Sequence, residues 1–187
     1  MSVLKDCLPD NFLKFCPHCG SDNFKPQGVK EFLCDACGFD FFVNSAAAVT
    51  ALILDSSGSL LVTRRGRNPG KGLLDLPGGF VDPSESLETA LRRELSEELG
   101  VSVSSASYFA SAPNVYVFSG YAVHTTDVAF VCSVSGNPSP ADDVDEILWL
   151  SPESIDLSLF AFHSIRSFVE SFLLSRVTSN KMSSPSA

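Results

Sequence analysis

Apolar positions fall along this chain in three kinds of pattern. Ala46 to Leu54 (AAAVTALIL) is apolar almost throughout and reads as a strand buried on both faces. Asp55-Ser-Ser-Gly58 is a turn, and Ser59 to Arg64 is the returning strand. Shorter stretches predict strands at about 106–110, 115–121, 126–134 and 147–150. Two segments carry helical spacing instead. Leu87, Leu91 and Leu95 recur every four residues and form one apolar stripe. Ser86 stands where its hydroxyl can cap that helix, and Gly100 stands where a left-handed residue ends it. Ile165, Phe168, Val169, Phe172 and Leu173 predict a closing helix over about 162–175, with its aromatics in the core. Between these elements lie the loops 65–72 (RGRNPGKG) and 136–146 (GNPSPADDVDE). The layout predicts a small module over 1–43, a main α/β domain over 44–177 and a disordered polar tail over 178–187.

The polar side of the first helix is acidic. Glu94 and Glu98 are four apart and Glu97 is three from Glu94, so all three leave one side. Like charges at this spacing oppose a helix by ~0.2–0.5 kcal/mol per pair. Taken alone, they make a solvated acidic face or a cation site, since hard carboxylate oxygens suit Mg²⁺ or Mn²⁺. Their surroundings are more specific. Gly79 is followed after five residues by Glu85, after seven more by Arg93-Glu94-Leu95, and then by Glu97-Glu98 and Gly100-Val101. This resembles the Nudix box, with no substitution. The resemblance implies an α/β/α sandwich with a mixed sheet and a metal-dependent hydrolase of diphosphate bonds. It implies Glu94, Glu97, Glu98 and the Gly78 carbonyl as ligands of Mg²⁺ or Mn²⁺. It also implies that Gly79, Glu85, Arg93 and Gly100 are structural, with Glu85 and Arg93 paired to hold the loop on the helix.

Cysteine spacing marks the small module. Cys16-Pro-His-Cys19-Gly and Cys34-Asp-Ala-Cys37-Gly have the spacing of a four-cysteine zinc ribbon. Disulfides are the alternative. The opening residues MSVLKDCLPD lack the apolar stretch of a signal peptide, which points to a cytoplasmic, reducing setting and favours Zn²⁺. His18 is a bystander, because four thiolates complete a tetrahedron. Cys132, in the apolar run DVAFVC, reads as a small buried hydrophobe.

Charge narrows the partners. Residues 1–45 hold four Lys, no Arg and six acidic residues, and the chain's formal net charge is −9. Phosphate-backbone binding needs basic residues, so nucleic acid is disfavoured. No apolar stretch approaches the ~20 residues that cross a membrane. A small nucleotide is the expected partner, with a homodimer by analogy to ribbon-bearing relatives.

A ribbon joined to a Nudix domain resembles the NADH pyrophosphatase branch, which implies NADH, ADP-ribose or a similar dinucleotide as substrate. That branch carries Ser-Gln-Pro-Trp-Pro-Phe-Pro followed by Ser shortly after the box. Here Ser111 and Pro113 match, while Ala112 and Asn114 replace the Gln and Trp and the later prolines are missing. Tyr116, Phe118 and Tyr121 are either base-stacking or strand-packing residues. Arg64, Arg65, Arg67 and Lys71 are either pyrophosphate contacts or solvated loop charges. Among Asp142, Asp143, Asp145 and Glu146, we select Glu146, three residues before Trp149, as the extra-box carboxylate that such enzymes often carry. Glu97 and Glu146 are the general-base candidates. Two other classes compete with the hydrolase: a catalytically silent nucleotide sensor and a zinc-ribbon adaptor.

Overall fold

A computed structural model of the chain describes residues 5–182. It divides into two compact units, one of residues 1–46 and 115–125 and one of residues 47–114 and 126–187.

The first unit contains a short helix α1 (Pro9–Phe12) and three strands, β1 (Phe24–Pro26), β2 (Glu31–Cys34) and β3 (Asp40–Phe42). These form an antiparallel sheet in the order β1-β2-β3, with Phe24 opposite Cys34 and Phe32 opposite Phe41. Cys16, Phe24, Phe32 and Cys34 are its buried centre. Such a core is small, so a bound metal is the usual supplement. Tyr121 packs edge-on against Phe12 at 5.5 Å, which makes it a packing residue.

The second unit is built on β4 (Ala46–Ile53), β5 (Leu60–Arg65), β6 (Leu74–Asp75), β7 (Gly78–Phe80), α2 (Leu87–Leu99), β8 (Ser102–Phe118), β9 (Tyr121–Ser135), β10 (Val144–Leu150) and α3 (His163–Met182), except that residue 46 of β4 and residues 115–125 of β8, β9 and their turn belong to the first unit. One sheet runs β7-β4-β9-β8 and a second runs β10-β5-β6. Strand alternation sorts the apolar residues into two cores. Val49, Ala51 and Ile53 of β4 and Val128, Phe130 and Cys132 of β9 pack with Ala90, Leu91, Leu95 and Leu99 of α2. Leu52, Leu60, Val62 and Ala129 pack instead with Ile165, Phe168, Val169 and Phe172 of α3. Helices therefore cover both faces, as an α/β/α sandwich requires.

Three boundaries differ from expectation. The strands expected at 106–110, 115–121 and 126–134 are two long strands, β8 and β9, joined at Ser119-Gly120. Both turn residues have left-handed φ, 51° and 81°, as a two-residue hairpin needs. Strand β10 begins at Val144, within the stretch read as a loop. Helix α3 continues to Met182 and takes in the first five residues of the expected tail; residues 183–187 lie outside the described residues. No helix among the described residues is long and apolar enough to cross a membrane.

Candidate active site

Helix α2 starts and stops where its ends can be satisfied. Ser86 accepts the Thr89 N–H at 3.2 Å. Gly100, at φ 66°, donates back to Leu95 and Ser96 carbonyls. The apolar stripe faces β4 and β9, which leaves the glutamates toward the loop of residues 78–85.

Arg93 fastens that loop to the helix. Its Nε and Nη2 each donate to Glu85 at 2.9 Å, and Nη2 also donates to the Phe80 carbonyl at 3.0 Å. Its Nη1 donates to Glu94 at 2.8 Å and to Glu97 at 3.2 Å. The planar fork suits this two-pronged grip on Glu85 better than an ammonium would. The Arg93 hydrogen bonds hold the Glu85 carboxyl below the usual carboxylate range.

Glu98 is buried, and its Oε2 accepts the Gly78 N–H at 2.8 Å. Burial pushes its carboxyl up to about 9; the Gly78 bond opposes this, and charges on Asp143, Glu94 and Asp75 add to it. Burial also raises Glu94, against the pull of Arg93, with Glu97 and Asp143 adding. The two glycines have separate reasons. Gly78 sits at φ 140° with the backbone of Val49 and Thr50 where a Cβ would go. A Cβ on Gly79 would stand 2.6 Å from the Glu94 carboxylate.

The glutamates are not already gathered. Glu94 and Glu97 are drawn to Arg93, and Glu98 to a neutral amide. The donor set still fits a hard divalent cation, because its donors are carboxyl oxygens and Glu98 is buried on a peptide amide with no cationic side chain in that bond, so a cation can displace its proton.

The structure shows where the acidic residues of the 142–146 stretch lie. Glu146 is exposed and bound to Arg64 at 2.8 Å on the β5–β10 ladder. Asp143 is the loop residue whose charge acts on both Glu94 and Glu98. The arginines before the box are also committed. Arg64 donates to the Gly72 carbonyl at 2.9 Å, and Arg67 meets Asp142 at 3.3 Å. Arg65 donates to the Pro69 carbonyl at 2.8 Å, pairs with buried Asp75 at 2.6 Å and lies 4.9 Å over the Phe162 ring. Asp75 was not singled out in the sequence, since an acidic residue in a two-residue strand carries no pattern. Its carboxyl is pushed up to about 6 because burial outweighs Arg65.

In the other unit, the Sγ atoms of Cys16, Cys19, Cys34 and Cys37 all lie within 4.8 Å of one another. Cys16 and Cys37 are 3.8 Å apart, and Cys19 and Cys34 are 3.7 Å apart. A tetrahedron with Zn–S bonds of ~2.3 Å has S···S edges of ~3.8 Å. A disulfide needs ~2.05 Å. The cluster therefore fits a zinc ribbon. His18 stacks on Phe39 at 5.5 Å instead of joining the cysteines. Cys132 is buried, and burial pushes its thiol up to about 11.

Comparison with known proteins places this geometry in a family. The NUDIX domain family matches residues 44–172. A NAD-capped RNA hydrolase NudC of Deinococcus radiodurans is 30% identical over 143 residues, covering 74% of this chain and 49% of that protein. The NAD-capped RNA hydrolase of Schizosaccharomyces pombe is 30% identical over 115 residues, covering 54% of this chain and 30% of that one. The chain thus spans half or less of the length of these curated relatives. Among solved structures, a Nudix hydrolase of Nitrosomonas europaea shares the fold at a TM-score of 0.65 and 20% identity, over 88% of this chain and 93% of its own. The E. coli ORF135 protein is 28% identical with a TM-score of 0.59, over 73% and 94%. Nudix enzymes generally use divalent metals, in keeping with the acidic set on α2. With the complete box, its Arg93 clasp and the family match over residues 44–172, the chain belongs to the Nudix hydrolase family.

Proposed function

We propose that this protein hydrolyses the diphosphate bond of a nucleoside diphosphate joined to a second group, with an NAD-type dinucleotide or ADP-ribose as the substrate class. The observation that carries the reading is the Glu98 carboxylate, buried and held on the Gly78 amide at 2.8 Å, beside Glu94 on Gly79. Burial and acidic neighbours keep this carboxyl protonated when nothing is bound, and an acidic group held at such a site is best explained by a cation that takes the proton's place.

Glu94, Glu97, Glu98 and the Gly78 carbonyl are the ligands in this reading, for Mg²⁺ or Mn²⁺. When bound, the cation supplies Lewis-acid charge neutralisation to the diphosphate oxygens and the leaving phosphate. The chain's own residues do the rest. Glu94 and Glu97, which accept from Arg93 here, would serve as ligands of the cation, while Glu85 keeps Arg93 and the loop in place. Asp143 replaces Glu146 as the carboxylate outside the box, because Glu146 is neutralised by Arg64. Asp143 or Glu97 takes the proton of the attacking water. Cys16, Cys19, Cys34 and Cys37 hold a structural Zn²⁺.

The relatives' names support an NAD-type diphosphate. The net charge of −9 and the arginine-free first 45 residues favour the free dinucleotide over one capping an RNA. Product analysis with NADH, ADP-ribose and a NAD-capped oligoribonucleotide tests this. Cleavage of the free compounds at rates equal to or above the capped RNA supports the reading, and cleavage of the capped RNA alone contradicts it.

A further inference from the structure

Residues 139–144 are held from two sides. Ser139 donates its N–H to the Leu99 carbonyl at 3.0 Å, and Ala141 donates to the Glu98 carbonyl at 2.9 Å. These are carbonyls that the C-terminal end of α2 leaves unpaired. On the other side, Gly66 donates its N–H to the Asp143 carbonyl at 2.8 Å, and Val144 pairs with Arg65 at the end of β5. The ladder register shifts between Val144 and Glu146, so Asp145 is the extra residue and lies beside Gly66.

There is no room for a side chain at this clasp. A Cβ on residue 66 would stand 2.6 Å from Asp145 Oδ1 and 2.9 Å from the Asp143 carbonyl oxygen. The carboxylate tip can swing away. The carbonyl cannot retreat without loosening the bond it accepts from the residue 66 amide.

We propose that Gly66 is a positioning residue: lacking a side chain, it lets the end of β5 clasp the Asp143 backbone and so fixes the loop that carries Asp143 against the C-terminal end of α2. This rests on the reading of Asp143 as a member of the acidic site. Gly66 touches no substrate and acts only through Asp143. The box does not encode it.

The test is a double-mutant cycle on the full chain with two readouts, Mn²⁺ affinity by electron paramagnetic resonance and kcat for the diphosphate compound cleaved. Asp143→Asn should weaken Mn²⁺ binding about tenfold or more, in the range seen when groups supporting a metal are removed. Gly66→Ala should weaken it in the same direction in the natural background and have no further effect in the Asp143→Asn background. Equal losses in both backgrounds would mean a general structural role and overturn the proposal, as would no loss at all. If Asp143→Asn changes neither readout, the reading of Asp143 falls and this proposal with it, while Glu98→Gln still tests the hydrolase separately. Should Gly66→Ala not fold, Gly66→Ala with Asp145→Ala removes the nearer clash, keeps the carbonyl contact and supplies the same comparison.

Discussion

Glu98 Oε2 accepts the Gly78 N–H at 2.8 Å, so the last acidic side chain of the box helix is bonded to the first glycine of the box loop. That bond joins two segments twenty residues apart and fixes one carboxylate of the set while Glu94 and Glu97 remain on Arg93. On the metal-site reading proposed above, one ligand is held rigid and two are exchangeable.

Arg93 is the counter-cation of the metal-free state. Arg93→Ala removes two bonds to Glu85 and one each to Glu94, Glu97 and Phe80. Metal-free protein should lose about 1–3 kcal/mol. Mg²⁺ should restore part of this, because it takes over the charge of Glu94 and Glu97. Thermal melts with EDTA and with Mg²⁺ check it; an equal shift in both buffers would contradict the exchange.

Gly78 has no substitute. Any Cβ there meets the β4 backbone, and its φ of 140° strains every other residue. Gly78→Ala should destabilise the fold by ~2 kcal/mol or more. Chemical denaturation measures it, and a loss below ~0.5 kcal/mol would show that β4 gives way easily.

Asp75 carries a pH signature. Its folded pKa of about 6 lies above the ~3.9 of an unfolded aspartate. The folded state therefore holds this proton more tightly. The stabilising contribution is full below the unfolded pKa and is lost as pH rises through about 6. Asp75→Asn cannot ionise, so its Tm in metal-free buffer should fall less between pH ~4 and ~6 than that of the natural protein. Parallel curves would show that Asp75 stays ionised against Arg65.

Zinc should govern stability and leave the chemistry alone. One Zn²⁺ per chain is expected by elemental analysis. Cys34→Ser should abolish it and lower the melting temperature, because Cys34 is fully buried in the small core. Residual turnover with Mg²⁺ should persist in the folded fraction. Zinc loss with an unchanged melt would contradict a structural role.

What could be read from sequence was what is local. The α2 stripe, its Ser86 cap and its Gly100 stop depend on neighbours within one turn, and the cysteine knuckles on a two-residue spacing. The β8–β9 hairpin was missed although Ser119-Gly120 is a turn dipeptide, because apolar alternation on both sides of it reads as one strand over 115–121. The surroundings of Asp143 and Glu146 were not legible for a related reason. The register shift between Val144 and Glu146 decides where each acidic residue of that loop lies, and a bulge leaves no mark in a run of carboxylates. Asp75 was invisible because its burial comes from packing of distant segments.

The most direct test of the central claim is product analysis of the purified protein and its Glu98→Gln variant, with Mg²⁺ or Mn²⁺. The compounds are NADH, NAD, ADP-ribose, FAD, diadenosine polyphosphates, CoA and nucleoside triphosphates. Gln can still accept the Gly78 N–H, so the variant should fold, and its turnover should fall by about two orders of magnitude or more. The account predicts metal-dependent release of a mononucleotide from an NAD-type compound or ADP-ribose by the natural protein, and almost none by the variant. Equal cleavage by both proteins, or nucleotide binding without any cleavage, would contradict it.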